Sequence, residues 1–223
     1  LAGFREGAKL EAACPHPYQL PGQSYPKAAM SEDEVLAEFR AAGALLEGHF
    51  ILSSGLHSPN YLQCARVLMD PMRASALASA LVATIPREIR SRLEIVVSPA
   101  MGGIIFGHEM GRALGLPAVF VERPQGVFEL RRGFRLNEGQ KVLLVEDVVT
   151  TGLSSREAMA AIAAEGGEVI AAAALVDRSG GEADLGVPFF PLVRFVVPTY
   201  PADSLPPELA AIPPEKPGSR KAA

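Results

Sequence analysis

Short apolar runs alternate with helix-period segments along the middle of this chain, and that alternation constrains its fold more than any other feature. "DPMRASALASALVATI" reads as a helix, with Asp70 at the cap and Pro71 in the first turn. The run "LEIVVS" follows as a strand, then "GGIIFGHEMGRALG" as a helix and "PAVFVE" as a strand. "KVLLVED", "SSREAMAAIAAEG" and "EVIAAAALVD" continue as strand, helix and strand, with Gly or Pro near most boundaries. Strands that alternate with helices predict an α/β chain built on a mainly parallel sheet covered on both faces. Ligands of such sheets bind beyond the carboxyl ends of the strands.

At the N-terminal side the pattern starts at "MSEDEVLAEFRAAGALLEG", where Ser31 and Glu34 are spaced as a capping box ahead of Val35, Leu36 and Phe39. Residues 1–30 mix Pro, Gly and polar residues without sustained periodicity and are expected to form an irregular extension, leaving a domain over 31–200. Residues 201–223 are broken repeatedly by proline and are expected to form an extended tail. With 223 residues and 48% hydrophobic content the chain can bury one sizeable core. A net charge of −4 argues against nucleic-acid binding by broad phosphate neutralisation and suits small anionic ligands held in a local pocket. No apolar run reaches membrane-spanning length, and the first thirty residues lack the order of a signal peptide, so the expectation is a cytoplasmic protein. Cys14 and Cys64 stand in unlike contexts and read as two reduced thiols.

Chemistry concentrates in "VLLVEDVVTTGLSS", Val142 to Ser155. Glu146 and Asp147 end a strand, and Thr150, Thr151, Gly152, Ser154 and Ser155 lead into a helix. Gly152 permits close backbone approach, hydroxyls and amides can donate to phosphate oxygens, and a helix N-terminus supplies partial positive charge. Ionised carboxylates only accept, so the two acids suit sugar hydroxyls or a cation. Phosphate beside sugar hydroxyls implies a phosphorylated sugar with Mg²⁺. A capped turn with solvated acids would explain the serines and threonines but not the whole constellation.

This stretch resembles the phosphoribosyl-diphosphate (PRPP) signature of type I phosphoribosyltransferases. Around it, "HFILSSGLHSPNYLQCARVLMDP" (His49 to Pro71) is similar to the N-terminal substrate segment of the orotate phosphoribosyltransferases, through Ser54, Gly55, Ser58, Pro59 and Tyr61. "VVSPAMGGIIFG" resembles their pyrophosphate loop, "VERPQGVFELRRGF" their mobile catalytic loop, and "ALVDRSGG" the segment carrying an orotate-contacting arginine, here Arg178. The resemblance implies a type I phosphoribosyltransferase fold, a mainly parallel sheet flanked by helices with a small N-terminal hood. It also implies transfer of the phosphoribosyl group from PRPP to orotate, giving orotidine 5'-monophosphate and pyrophosphate.

On that resemblance Glu146 and Asp147 hold the ribose hydroxyls, and Val148, Val149, Thr150, Thr151, Gly152, Leu153 and Ser154 hold the 5'-phosphate. Arg123, with Ala100, Gly102 and Gly103, completes the PRPP site. Arg131 and Arg132 act as catalytic cations, while Ser54, Gly55, Tyr61, Thr150 and Arg178 take the orotate. Mg²⁺ is expected to be held mainly by PRPP and water rather than by a protein cage. A homodimer is implied, in which the loop Arg123 to Phe134 completes the neighbour's site.

The chain departs from the commoner family pattern at several points. Ser53 stands where many members have lysine, Met101-Gly102 where a Tyr-Lys pair is common, and the catalytic loop offers arginines but no lysine or histidine. His49 and His57 fall near the expected base site, and neither is assigned to catalysis. Two rivals share the fold: a purine phosphoribosyltransferase, and a non-catalytic regulator that binds PRPP. A regulator calls for a DNA-binding module, and residues 1–30 are too short and irregular for a helix-turn-helix.

Overall fold

The computed structural model describes residues 29–52 and 54–216. The expected N-terminal extension thus lies almost wholly outside the described residues, as do Cys14, Ser53 and the last seven residues.

The core is a six-stranded sheet, preceded by a small antiparallel hairpin. In chain order the elements are α1 (Glu32–Ala41), β1 (Leu45–Ile51), β2 (His57–Leu62), α2 (Cys64–Leu68), α3 (Pro71–Thr84), α4 (Arg87–Arg90), β3 (Ile95–Pro99) and α5 (Gly103–Leu114). They continue as β4 (Ala118–Glu122), β5 (Glu129–Leu130), β6 (Lys141–Val149), α6 (Leu153–Ala164), β7 (Glu168–Asp177), β8 (Phe189–Arg194) and α7 (Pro207–Ala210). The expected capping box forms: Ser31 accepts from the Glu34 amide, and Glu34 reaches back to the Ser31 amide. Asp70 accepts from the amides of Met72 and Arg73 at 2.9 and 3.3 Å, with Pro71 behind it. Each such cap stabilises its helix by about 1 kcal/mol.

Strand order is β5-β4-β3-β6-β7-β8, with every neighbouring pair parallel except β4 and β5. The chain runs outward from β3 to β4, then returns to place β6 on the other side of β3. This reversal opens a crevice beyond the ends of β3 and β6, the place where such sheets bind ligands.

Strand alternation explains how the sheet is buried on both faces. Leu143 and Val145 join a core formed with Leu77 and Leu81 of α3 and Phe106 and Met110 of α5. Val142 and Leu144 enter the opposite core with Ala158 and Ile162 of α6. Each fully buried aliphatic side chain contributes roughly 1.5–3 kcal/mol.

The C-terminal stretch corrects the expectation of an extended tail. Within the described residues it folds back along the hairpin: the His57 amide donates to the Tyr200 carbonyl, and the Ile51 amide to the Glu215 carbonyl. Pro206 and Pro207 open the short helix α7, whose Leu209 is buried. Proline removes donors, yet the carbonyls and apolar side chains around it remain free to dock. Among the described residues no helix is long and apolar enough to cross a membrane.

Candidate active site

The loops after β3 and β6 meet at the crevice, and each leads into a helix whose N-cap is a glycine with no side-chain cap, Gly102 for α5 and Gly152 for α6. Two helix N-termini with uncapped first turns therefore face one opening. That combination favours anionic groups.

Strand parity separates the two adjacent acids. Glu146 follows Leu144 to the α6 face, where it is only 6% exposed and Ser155 Oγ donates to its Oε1 at 2.9 Å. Burial pushes Glu146 up to about 7; the Ser155 bond and Arg123 oppose the rise, and the Asp147 charge adds to it. Asp147 follows Val145 to the α5 face, against the backbone of Gly102. A Cβ at position 102 would lie 2.8 Å from the Asp147 Cγ, so any larger residue there must displace the Asp147 carboxylate. Burial also raises the Asp147 carboxyl, against the lowering effect of the Val148 amide and its own.

Between the acids and α6 the loop turns sharply. Gly152 has φ +73°, a left-handed conformation costly for other residues, and a Cβ there would meet Leu185 at 2.7 Å. Arg156 braces the loop by donating to the carbonyls of Thr151 and Asp184 at 3.2 and 2.9 Å. Thr150, Thr151, Leu153 and Ser154 remain exposed, and Ser154 Oγ lies 3.3 Å from the Arg123 guanidinium. Arg123 also pairs with Glu157 and stacks over Phe128 at 4.0 Å from the ring centroid. The structure thus brings Arg123 to the expected phosphate loop.

On the other wall, the hairpin and α2 carry Tyr61 and Cys64 to Arg178, at the end of β7. The Arg178 amide donates to the Val149 carbonyl at 2.8 Å, which ties it to the strand of the two acids. Its guanidinium is half-buried, with Nε lacking a hydrogen-bond partner. Burial lowers its pKa, while Tyr61 and Cys64 act to raise it. Tyr61 is raised by burial and lowered by Arg178, with Cys64 and Asp147 raising it further. Burial pushes the Cys64 thiol well above its ordinary range, with Asp147 adding and Arg178 opposing. Tyr61, Arg178 and Asp147 therefore share one electrostatic neighbourhood.

Other candidates stand apart. Arg132 is bound by Glu122 through Nε–Oε1 at 2.6 Å and Nη2–Oε2 at 3.1 Å, and Arg131 is exposed. Among the described residues no ion pair joins either arginine to Glu146 or Asp147. Their loop lies on its own subunit: β5 pairs with β4, and Phe128 is buried in the α6-side core. Ser54 and Gly55 form the exposed hairpin tip. His49 and His57 bond to each other at 2.5 Å, and His49 Nδ1 donates to the Ile212 carbonyl at 2.7 Å, so both serve to clamp the C-terminal segment. No cluster of three or more His, Cys, Asp or Glu that could hold a metal occurs among the described residues.

Sequence reasoning placed Ser155 at the helix entry without its bond to Glu146, and passed over Glu157 and Cys64 as parts of this site. Ser155 and Glu157 lie on α6 and Cys64 on α2, and only counting which strand face α6 covers would have pointed to the Ser155–Glu146 contact.

Comparison with known proteins is consistent with this geometry. The profile of the phosphoribosyl transferase domain matches residues 72–188. An orotate phosphoribosyltransferase of Novosphingobium aromaticivorans is 73% identical over 191 residues, covering 86% of this chain and 98% of that protein. The chain belongs to the orotate phosphoribosyltransferase family. A solved orotate phosphoribosyltransferase from Aeropyrum pernix superposes with a TM-score of 0.62 at 26% identity, covering 72% of this chain and 93% of that one. Adenine phosphoribosyltransferase from Thermoanaerobacter pseudethanolicus, at 20% identity and a TM-score of 0.52 over 61% of this chain and 88% of that one, shares the fold. Within the phosphoribosyltransferases, the base is therefore decided by side chains, not by the sheet.

Proposed function

We propose that the chain transfers the phosphoribosyl group of PRPP to orotate, releasing pyrophosphate and forming orotidine 5'-monophosphate. One observation carries the reading: a half-buried arginine, Arg178, whose buried Nε has no hydrogen-bond partner, stands beside Tyr61 directly after the strand next to the two acids. A planar fork left unpaired in a crevice suits the carboxylate of orotate, a group that purine bases lack.

In this reading the loop from Val148 to Ser154 and the α6 N-terminus hold the 5'-phosphate, while Glu146 and Asp147 accept from the ribose hydroxyls. Thr150 reaches toward the base, and the β3–α5 loop at Ala100, Gly102 and Gly103 receives the pyrophosphate through backbone amides. Breaking the anomeric C–O bond places positive charge on the ribose ring and negative charge on the leaving pyrophosphate. The buried carboxylates face the first charge, and the helix N-termini and arginines the second. The hard oxygens of Glu146 and Asp147 are compatible with Mg²⁺ carried in mainly by PRPP and water, which would supply charge neutralisation at the pyrophosphate.

The proposal includes a homodimer in which Arg123 to Phe134 of one subunit covers the other's site with Arg131 and Arg132. It also includes a cytoplasmic setting, which suits the free, buried thiol of Cys64. A substrate panel tests the reading: purified protein with PRPP and Mg²⁺ is expected to consume orotate and to leave hypoxanthine and adenine untouched. Turnover of a purine base without orotate would overturn it.

A further inference from the structure

Asp177 is 1% exposed and immediately precedes Arg178, yet it does not pair with it. Its Oδ1 accepts from both the amide and the hydroxyl of Ser179, at 2.8 and 2.6 Å. The Ser179 hydroxyl oxygen in turn accepts from the amides of Gly181 and Ala183 at 3.1 and 3.0 Å. Its other oxygen, Oδ2, lies 3.6 Å from Arg194 Nε on the adjacent strand β8. One buried carboxylate thus suspends the whole turn from Arg178 to Ala183.

We propose that Asp177 is the positioning residue for Arg178, holding its backbone in register through the turn hung on the Asp177 carboxylate. This rests on the reading of Arg178 as the orotate-binding arginine.

Two anchors fix the Arg178 backbone, the Val149 carbonyl before the turn and the Asp177 carboxylate within it. Side chains alternate along β7, so Asp177 and Arg178 leave the chain in opposed directions. Ser179 holds Oδ1 through two hydrogen bonds, and Arg194 lies across from Oδ2 at 3.6 Å. Oδ2 faces Arg194 without a hydrogen bond, and Arg178 Nε also lacks a partner. The effect is expected on the base side, because the turn begins at Arg178 beside Tyr61, while the phosphate loop keeps its own bond from Arg156 to the Thr151 carbonyl.

The test is a double-substitution cycle read through the KM of each substrate. Asp177→Ala is expected to raise the orotate KM about tenfold or more, the scale of losing hydrogen bonds to a charged acceptor, with the PRPP KM within about twofold. Asp177→Asn keeps an Oδ1 acceptor for Ser179 and is expected to restore most of the orotate affinity. Ser179→Ala, which cuts the turn without removing the buried acid, serves if Asp177→Ala folds poorly and is expected to raise the orotate KM several-fold. Added to Arg178→Ala, either change is expected to alter the orotate KM by less than about twofold, because a positioning residue has nothing left to position. Full additivity with Arg178→Ala, or equal rises in both KM values, would overturn the role of Asp177. If Arg178→Ala by itself leaves the orotate KM unchanged, the reading of Arg178 fails first, a separate result that the same cycle reveals.

Discussion

Ser155 Oγ donates to Glu146 Oε1 at 2.9 Å, a bond between two buried side chains nine residues apart that joins the first turn of α6 to the end of β6. It links the helix over the expected phosphate loop to the carboxylate expected to hold the ribose. The hydroxyl favours the ionised carboxylate, against the burial that raises Glu146 to about 7. Ser155→Ala should therefore raise Glu146 further and move the acid limb of the kcat/KM profile for PRPP toward higher pH, while Ser155→Thr should largely preserve it. A uniform drop in activity with an unmoved limb would show that the bond serves packing alone.

The same carboxyl sets a pH dependence of stability. Its folded value of about 7 exceeds its ordinary value of 4.5, so the native state binds the proton more tightly than the unfolded chain. The resulting stabilisation is fully present below about 4.5, is lost as pH rises toward about 7, and levels off above that, with an amplitude on the order of 3 kcal/mol. Thermal denaturation of Glu146→Gln should show a flatter dependence across this window than the wild type. Parallel curves for the two proteins would rule Glu146 out as the responsible group.

Glycine at position 102 is explained by Asp147. The start of α5 lies against the Asp147 carboxylate, and an added Cβ would lie 2.8 Å from Cγ. The atoms in the way belong to a short side chain that can turn aside, so Gly102→Ala should shift Tm by only about 3 °C or less. The cost should fall on function: a displaced Asp147 should lower kcat/KM for PRPP by about tenfold or more. Unchanged kinetics would mean that Asp147 does not need its observed position.

Much of this was legible locally. The Ser31–Glu34 box and the Asp70-Pro71 cap declare helix starts through neighbours three residues apart, and the β3, β6 and β7 runs declare strands by composition. β8 was not legible, since Pro191 interrupts its apolar run; it is tolerated there because β8 is an edge strand. The docking of the C-terminal segment rests on pairs such as Phe50 with Glu215, more than 160 residues apart, which no local pattern encodes. Motif resemblance singled out Glu146, Asp147 and Arg178, residues whose expected chemistry lies in their type. It could not supply the contacts that Ser155 and Asp177 make.

The catalytic loop gives the last prediction. On its own subunit it is docked through β5 and Phe128, with Arg131 exposed and Arg132 held by Glu122, so neither arginine pairs with the acids of the same chain. Gly126 and Gly133, with φ of +88° and +77°, lie near its two ends and allow the segment to swing. If the loop completes the neighbouring site of a homodimer, acids and arginines of one site come from different chains. Asp147→Asn and Arg131→Ala/Arg132→Ala proteins should each be inactive, and subunit exchange between them should create dimers with one intact site. Random exchange makes half the dimers mixed with one of two sites intact, so recovered activity should approach about one-quarter of wild type. Mass spectrometry verifies the mixed dimers, and turnover is measured on the same sample. Mixed dimers without recovered turnover would place the loop arginines in their own subunit's site or outside catalysis.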